Sequence, residues 1–439
     1  MKEFDNIIIG AGPGGYTLAR LLSSAGETVL VVEKDALGGT CLNRGCIPTK
    51  CLCSAAEAVI SASRASQFGV NATVTDIDYA QTHRHITEVV AHLQEGIAQQ
   101  LSGAEIVHGT AVLHPDRVVE VDGTEYKASK RLVIATGSKP ASLPIPGAEL
   151  AITSDDILAS DSLPESIIII GGGVIGLEFA SVYNALGVKV TVIEACKEIL
   201  PNFDADIAKR LRQALSRRGV DICVATSVQS ISVEDTGARV VNAVGKKGST
   251  QYTASQVVIA TGRRPVLPSG IENIEVSVTP RGFIEVDEYM QTSVPGVYAI
   301  GDVNGLSILA HSAEAQARVV AGGCPEAFDR NLVPSVVFTH PELAQVGPTA
   351  EDLKQQGIDF DVIRKQYASN GKACAMGQSD GIVKMLVDSQ KRILGVSILG
   401  AHASDMIAEA TILIKEKIPY PEISTRYIHP HPTLSELFI

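Results

Sequence analysis

Apolar residues run without a break from Phe4 to Ile9 and give way at once to Gly10-Ala11-Gly12-Pro13-Gly14-Gly15. A short apolar run bounded by turn residues predicts a strand buried on both faces. Leu18, Leu21 and Leu22 then fall at helical spacing, and a second apolar run, Val29 to Val32, ends on Glu33. The unit reads as strand, glycine turn, helix, strand. Its Gly10, Gly12 and Gly15 hold the spacing that lets a backbone close on a pyrophosphate at a helix N-terminus. Glu33 stands where a carboxylate accepts from adenosine ribose hydroxyls.

The pattern then recurs. Ile167 to Ile170 is apolar, Gly171, Gly173 and Gly176 repeat the spacing, and Val190 to Ile193 ends on Glu194 at the same separation. Each copy also has a later strand closing on the same pentapeptide, Val133 to Gly137 and Val258 to Gly262. Two complete fingerprints predict two bound dinucleotides, not merely a duplicated fold.

Between these landmarks, Asp78 to Leu101 predicts a polar amphipathic helix whose His83, His85 and His92 form a solvated face and no metal set. The stretches around Val118 to Tyr126 and Val228 to Val244 alternate like strands of small antiparallel inserts, and Asp204 to Arg218 predicts a helix on the second sheet. After Gly262 the chain returns to the first domain. A strand from Val294 to Ile300 leads to Gly301-Asp302 and a helix from His311 to Val320. Asp302 is placed to bond ligand hydroxyls, and the helix N-terminus behind it suits negative charge on a ligand ring.

From Asn331 onward the grammar changes. Strands near Ser335 to Phe338, Ile382 to Val387 and Leu394 to Leu399, with helices near Thr349 to Gln356 and Asp405 to Glu416, predict an α+β domain without a nucleotide motif. The fold class is therefore α/β, with two Rossmann-like dinucleotide-binding domains and a C-terminal α+β domain. The expected division is residues 1–145, 146–265, a return segment 266–330 completing the first domain, and 331–439.

Composition agrees with a globular chain: 439 residues, 45% hydrophobic and 20% charged, suffice for about three compact domains. The net charge of −12 argues against nucleic acid. No charged leader with an apolar core precedes the first strand, and no apolar run approaches the ~18 residues of a membrane span. A cytoplasmic protein is expected, and its eight cysteines are no secreted disulfide framework.

Two stretches carry distinctive chemistry. The first is Gly38-Gly39-Thr40-Cys41-Leu42-Asn43-Arg44-Gly45-Cys46-Ile47-Pro48-Thr49-Lys50. A disulfide needs Cα atoms roughly 4.4 to 6.8 Å apart. An extended chain would separate Cys41 and Cys46 by about 17 Å, and a regular helix by about 9 Å. Bridging them demands a tightened helical turn, which Gly45 permits, and a bridge strained in this way is redox-labile. The second stretch is His429-Pro430-His431-Pro432-Thr433-Leu434-Ser435-Glu436. Prolines fix the backbone at His431, and Glu436 is near enough to orient its imidazole while also serving as capping-box partner of Thr433.

Together these motifs resemble the dihydrolipoamide dehydrogenase branch of the pyridine nucleotide-disulfide oxidoreductases, over essentially the whole chain. The resemblance implies that the first fingerprint holds FAD, with Glu33 on its ribose. Gly39, Thr40, Lys50, Ala111 and Gly137 would lie near that cofactor, and Asp302, Ala310 and His311 near its ribityl chain and ring. Cys46 would be the charge-transfer thiol against the flavin and Cys41 the interchange thiol that meets substrate. His431, oriented by Glu436, would be the acid/base and would come from the partner subunit of a homodimer, with residues 331–439 as the dimerisation domain. Lys50 would pair with Glu178. NAD would occupy the second fingerprint, with Val228 and Gly262 nearby, and Glu194 would repel the 2′-phosphate of NADP. No metal is implied. The expected substrate is a lipoylated carrier protein, and neither nucleic acid nor membrane is an expected partner.

Some positions depart from the family pattern. Cys51 and Cys53 follow the redox motif where the family more often has apolar residues, and they read as small core residues, the alternative being thiols that trap the disulfide in another pairing. Cys196, Cys223, Cys324 and Cys374 read as buried thiols. Two alternatives stay open: another disulfide reductase, such as a glutathione type with an NADP preference, and a flavoprotein subunit that no longer turns over. Mercuric and large thioredoxin reductases carry a C-terminal cysteine pair, whereas this sequence has no cysteine after Cys374.

Overall fold

The computed structural model describes residues 1–246, 248–323 and 326–439, so Cys324 lies outside the described residues. The chain divides into two compact units. The first comprises residues 1–49, 83–141 and 263–330, and the second residues 50–82, 142–262 and 331–439.

The first unit is built on the apolar run at the N-terminus. Strand Lys2–Ile9 pairs in parallel with Val29–Glu33 on one side and with Thr124–Ile134 on the other. Glu105–His108 extends the sheet beyond Val29–Glu33, and Val297–Ala299 pairs in parallel with Thr124–Ile134. Ile7, Ile8, Leu30, Val31, Leu132 and Val133 are fully buried. Enclosing each such side chain contributes about 1.5–3 kcal/mol, which is why these runs lack the alternation of a one-sided sheet. Helices Pro13–Ser24 and Ala310–Val320 cover one face.

Two expectations change here. Val118–Val121 and Thr124–Ile134 do form an antiparallel pair, but they belong to the main sheet and not to a separate insert, because the second strand runs on for 11 residues into the parallel ladder. The return strand is confined to Val297–Ala299, shorter than the apolar run that announced it.

Among the described residues, the second unit contains three sheets. A parallel sheet has the order Asp221–Cys223, Lys189–Ile193, Ser166–Ile170, Gln256–Ile259, and a three-stranded antiparallel sheet joins Ser227–Val233, Arg239–Gly245 and Gly248–Ala254. The third is a five-stranded antiparallel sheet ordered Ser335–Val337, Glu342–Val346, Ile393–Gly400, Ile382–Val387, Asp361–Gln366. Glu342–Val346 and Asp361–Gln366 escaped the sequence reading. The edge strand Asp361–Gln366 has only Val362 and Ile363 as apolar residues and is largely exposed, so no continuous apolar run marks it. Helix Ala205–Arg217 starts at a buried Asp204 that caps it by accepting from the Ile207 amide. Among the described residues, no helix is long and apolar enough to cross a membrane and no group of three or more His, Cys, Asp or Glu side chains is placed to hold a metal.

Candidate functional site

The two glycine turns have the same construction down to individual hydrogen bonds. The Gly10 amide donates to Val32 O at 2.8 Å and the Gly171 amide to Ile193 O at 2.9 Å, while Ala135 and Ala260 each close the neighbouring ladder at 2.8 Å. Gly10 and Gly171 have φ of 105° and 117°, and a Cβ on either would overlap the carbonyl of Ala135 or Ala260. A Cβ on Gly15 or Gly176 would strike the carbonyl of Gly10 or Gly171. Gly12 and Gly173 differ, because a Cβ there would meet nothing within 4 Å. Each is the residue capping its helix, with no side chain bonding the first turn. The outer glycines are thus required by packing, and the middle one opens onto space beside unsatisfied helix N–H groups. That is a cradle fitted to a pyrophosphate, present twice.

Glu33 and Glu194 lie at the ends of their strands and are buried. Glu33 accepts from the Ala11 amide at 2.7 Å and the Asp35 amide at 2.8 Å; Glu194 accepts from the Gly172 and Cys196 amides, both at 2.6 Å. Each carboxylate therefore ties its glycine turn to the strand end, a bracing role that spacing alone did not disclose. Val228 is half-buried against the core of the antiparallel sheet, and Gly262 is exposed just past the strand Gln256–Ile259.

The cysteine stretch is not one tightened turn. Helix Gly39–Arg44 carries Cys41, and helix Cys46–Arg64 begins with Cys46. Gly45 breaks the helix between them, at φ −148° and ψ −112°. A Cβ on Gly45 would sit 2.8 Å from Thr40 O, so the close approach, and not left-handed backbone, requires glycine here. Asn43 holds the stretch by donating to Leu37 O at 3.0 Å and Gly39 O at 2.9 Å. Cys41 is half-buried and Cys46 exposed. Tyr16 was missed by the sequence reading. Its hydroxyl pKa is pushed up to about 12 by burial, then by Glu314, Cys41 and Cys46.

Elsewhere in the first unit, Asp302 Oδ2 accepts from Ser138 Oγ at 2.5 Å, with Arg263 Nε 3.8 Å away. Burial holds the Asp302 carboxyl above its usual range, against the opposing effects of Ser138 and Arg263. Ser138 and Arg263 sit on the paired strands Ser138–Pro140 and Arg263–Pro265, which no motif singled out. Ala111 is buried, Gly137 has φ 68°, and Ala310 opens the helix in which His311 follows, exposed.

In the second unit, Lys50 Nζ meets Glu178 Oε2 at 2.9 Å and lies 4.0 Å from the centroid of the Phe338 ring. The other carboxylate oxygen accepts from the Phe338 amide at 3.0 Å. Cys53 Sγ lies 3.6 Å from Phe338 O, and burial followed by the Glu178 charge pushes its thiol up to about 12; burial also raises that of Cys51. Both are half-buried. The expectation of buried thiols fails for Cys196 and Cys374, which are exposed, and for Cys223, which is half-buried. Cys374 lies on a short surface helix, and Cys196 in the turn after the second acidic strand end.

His431 Nδ1 lies 2.9 Å from Glu436 Oε1, and Glu436 Oε2 accepts from the Thr433 amide at 2.8 Å. The two expected roles of Glu436 coexist, on a single turn of 3₁₀ helix, Leu434–Phe438. An ionised carboxylate only accepts, so Nδ1 carries the proton and Nε2 is left as the basic nitrogen. The His431 side chain is 80% exposed. Its neighbour His429 bonds Glu409 at 2.7 Å through Nε2.

These features have counterparts in known proteins. The family model for pyridine nucleotide-disulphide oxidoreductases matches residues 4–317, and that of the family's dimerisation domain matches residues 333–439. The chain is 36% identical to a dihydrolipoyl dehydrogenase of Geobacillus stearothermophilus, covering 99% of this chain and 94% of the relative. It is 38% identical to one of Thermus scotoductus, covering 99% and 96%. Among solved structures, the HOCl-induced flavoprotein disulfide reductase RclA of Escherichia coli superposes with a TM-score of 0.87 at 30% identity, over 99% of this chain and 98% of that one.

Proposed function

The chain belongs to the pyridine nucleotide-disulphide oxidoreductases, an FAD- and NAD(H)-dependent enzyme family, and from that premise we propose that it oxidises the dihydrolipoyl group of a carrier protein with NAD⁺ as acceptor. The observation that carries this reading is the His431–Glu436 pair, combined with the Cys41/Cys46 stretch. Together they supply a proton acceptor and a dithiol, the two things a thiol–disulfide exchange needs.

His431 Nε2 takes the proton from one substrate thiol. The resulting thiolate attacks Cys41 Sγ of an oxidised Cys41–Cys46 pair; the S–S bond breaks and Cys46 leaves as thiolate. Cys41 then leaves with the proton held by His431, whose freed Nε2 takes the proton of the second substrate thiol as that sulfur attacks the substrate sulfur of the mixed disulfide and closes the lipoyl ring. The protein is left two electrons richer and the substrate two electrons poorer. FAD in the first cradle and NAD⁺ in the second supply the chemistry that takes up those electrons, giving NADH and a proton overall. Residues 1–145 with 266–330 would hold FAD, and 146–265 NAD⁺. Glu194 supports NAD⁺ over NADP⁺, since a buried carboxylate disfavours a 2′-phosphate. The match of residues 333–439 to a dimerisation domain supports a homodimer in which His431 of the partner subunit serves Cys41. Reliance on a reversible dithiol favours a reducing compartment, the cytoplasm.

The similarity to RclA keeps a second reading in view, a reductase running from NAD(P)H toward a disulfide or another oxidant. A steady-state panel separates the two. Dihydrolipoamide with NAD⁺ is expected to exceed dihydrolipoamide with NADP⁺, and NADPH with oxidised glutathione, by at least about 10²-fold in kcat/KM. Equal or reversed preferences would refute the assignment.

A further inference from the structure

Within the second unit, a cleft of about 270 Å³ is lined by Arg64, Arg217, Arg218, His340, Ser379 and Asp380, among others. Arg218 and His340 also line a smaller chamber of about 60 Å³ beside Ser181 and Asn184. None of these residues has a part in the reaction above.

The charges in the cleft are poorly matched. Arg64 donates to the carbonyls of Met376 at 3.2 Å and Gly377 at 2.6 Å, which fix its position without neutralising it. Arg217 pairs with Asp380 at 3.0 Å. Among the described residues no hydrogen bond or ion pair engages the guanidinium of Arg218; its backbone alone is engaged, the amide donating to Leu215 O and the carbonyl accepting from Asn184. His340 is largely enclosed, with Nδ1 3.4 Å from Glu57 Oε2. Burial, then Arg218 and Arg64, push the His340 imidazole down to about 4, and burial and Arg64 lower Arg218 against the opposing charges of Asp380 and Glu57. Guanidinium and imidazole groups that oppose one another across an open cleft are the arrangement a bound anion relieves.

We propose that this cleft binds a small phosphate-bearing anion through Arg64, Arg218 and His340. Guanidinium forks match the geometry of phosphate oxygens. With His340 neutral, three arginines face Asp380 and Glu57. A dianion entering beside the ring restores the advantage of the protonated imidazole, so binding takes up a proton. A monocarboxylate brings half the charge and cannot engage two guanidinium groups bidentately at once.

The test is calorimetry on the FAD-loaded protein with excess NAD⁺ present to occupy the second cradle. Inorganic pyrophosphate and AMP are titrated separately at pH 6 in two buffers of different ionisation enthalpy. Saturable binding with net proton uptake is expected, tighter for AMP if the natural ligand is a nucleotide and for pyrophosphate if it is an inorganic phosphate. Arg218→Met should weaken binding about tenfold or more, the loss of one charge-assisted contact. Arg218→Lys should restore part of it. His340→Asn should take up fewer protons per bound anion than the native protein, the exchange of the phosphate itself, with its second pKa near 6, being common to both, and it carries the test should the arginine variant lose flavin or melt early. Absence of binding to the native protein, equal affinity in Arg218→Met, or undiminished proton uptake in His340→Asn would each overturn the proposal.

Discussion

Glu436 holds His431 and its own turn with one carboxylate: Oε1 lies 2.9 Å from His431 Nδ1, and Oε2 takes the Thr433 amide at 2.8 Å. The imidazole is oriented by a group that is itself fixed by the backbone, although the ring is exposed. Bonding to His431, then to Thr433, holds the Glu436 carboxyl below its ordinary 4.5. A depressed folded pKa stabilises the turn fully above the unfolded value and loses that stabilisation as pH falls through the folded one. The bond that orients the His431 ring should therefore be fully present above the ordinary carboxylate value and be lost only as pH falls through the lower folded value of Glu436. Glu436→Gln is expected to lower kcat about 10²-fold with little change in KM. Kinetics between pH 4 and 9 on both proteins provide the check; a variant within twofold of the native kcat would remove Glu436 from the mechanism.

Lys50 and Phe338 share the two oxygens of a Glu178 side chain that is 7% exposed. Lys50→Met would leave that carboxylate with an amide alone. Because Lys50 is itself one-third exposed, the expected cost is about 1–3 kcal/mol, below that of a fully enclosed pair. Glu178→Gln, which keeps an acceptor for Phe338, should cost less. Urea unfolding of the two variants decides the order.

Asp204 and Lys384 form a more deeply buried pair, at 2.7 and 2.8 Å, and the Asp204 amide also donates to Gln345 at 2.7 Å. Lys384→Met strands a carboxylate that also caps Ala205–Arg217, and should cost about 3–5 kcal/mol. Replacing both partners, Asp204→Asn with Lys384→Met, should recover about half of that loss, since the cap survives without the charge. Denaturant midpoints of the single and double variants measure it.

The glycine turns, both acidic strand ends and the His431–Glu436 pair could be named from the sequence because each rests on local spacing, whereas the Lys50–Glu178 pair, 128 positions apart, was named only through the family resemblance. What could not be named depends on chain segments far apart in sequence. Ser138 and Arg263 meet Asp302 only because two three-residue strands pair across 125 positions. Tyr16 reads as a helix surface residue until Cys41 and Cys46 are placed near it. The spacing of Cys41 and Cys46 asked only for a tightened turn that Gly45 permits; the steric conflict with Thr40 O that puts a break between two helices there is invisible in a spacing count. The exposed cysteines were misassigned because small residues carry no periodic signal of their own.

Thiol reactivity should follow burial. The Cys53 thiol, pushed up to about 12, has about 10³-fold less thiolate at pH 8 than a cysteine at its ordinary 9.0. With iodoacetamide on the folded protein, Cys374 should be modified and Cys53 spared, read by peptide mass mapping. Rapid labelling of Cys53 before unfolding would show that its environment is open.

The central claim is that Cys41 and Cys46 pass two electrons from a dihydrolipoyl thiol pair toward NAD⁺. The most direct measurement is an anaerobic titration of the FAD-loaded protein with dihydrolipoamide, followed by one addition of NAD⁺. One equivalent should produce a long-wavelength absorption band that is missing in Cys46→Ser, and NAD⁺ should discharge it with one NADH formed per protomer. If flavin is bound but dihydrolipoamide produces no such band and no NADH, the substrate assignment is wrong and the chain is a disulfide reductase of another kind or a flavoprotein that does not turn over.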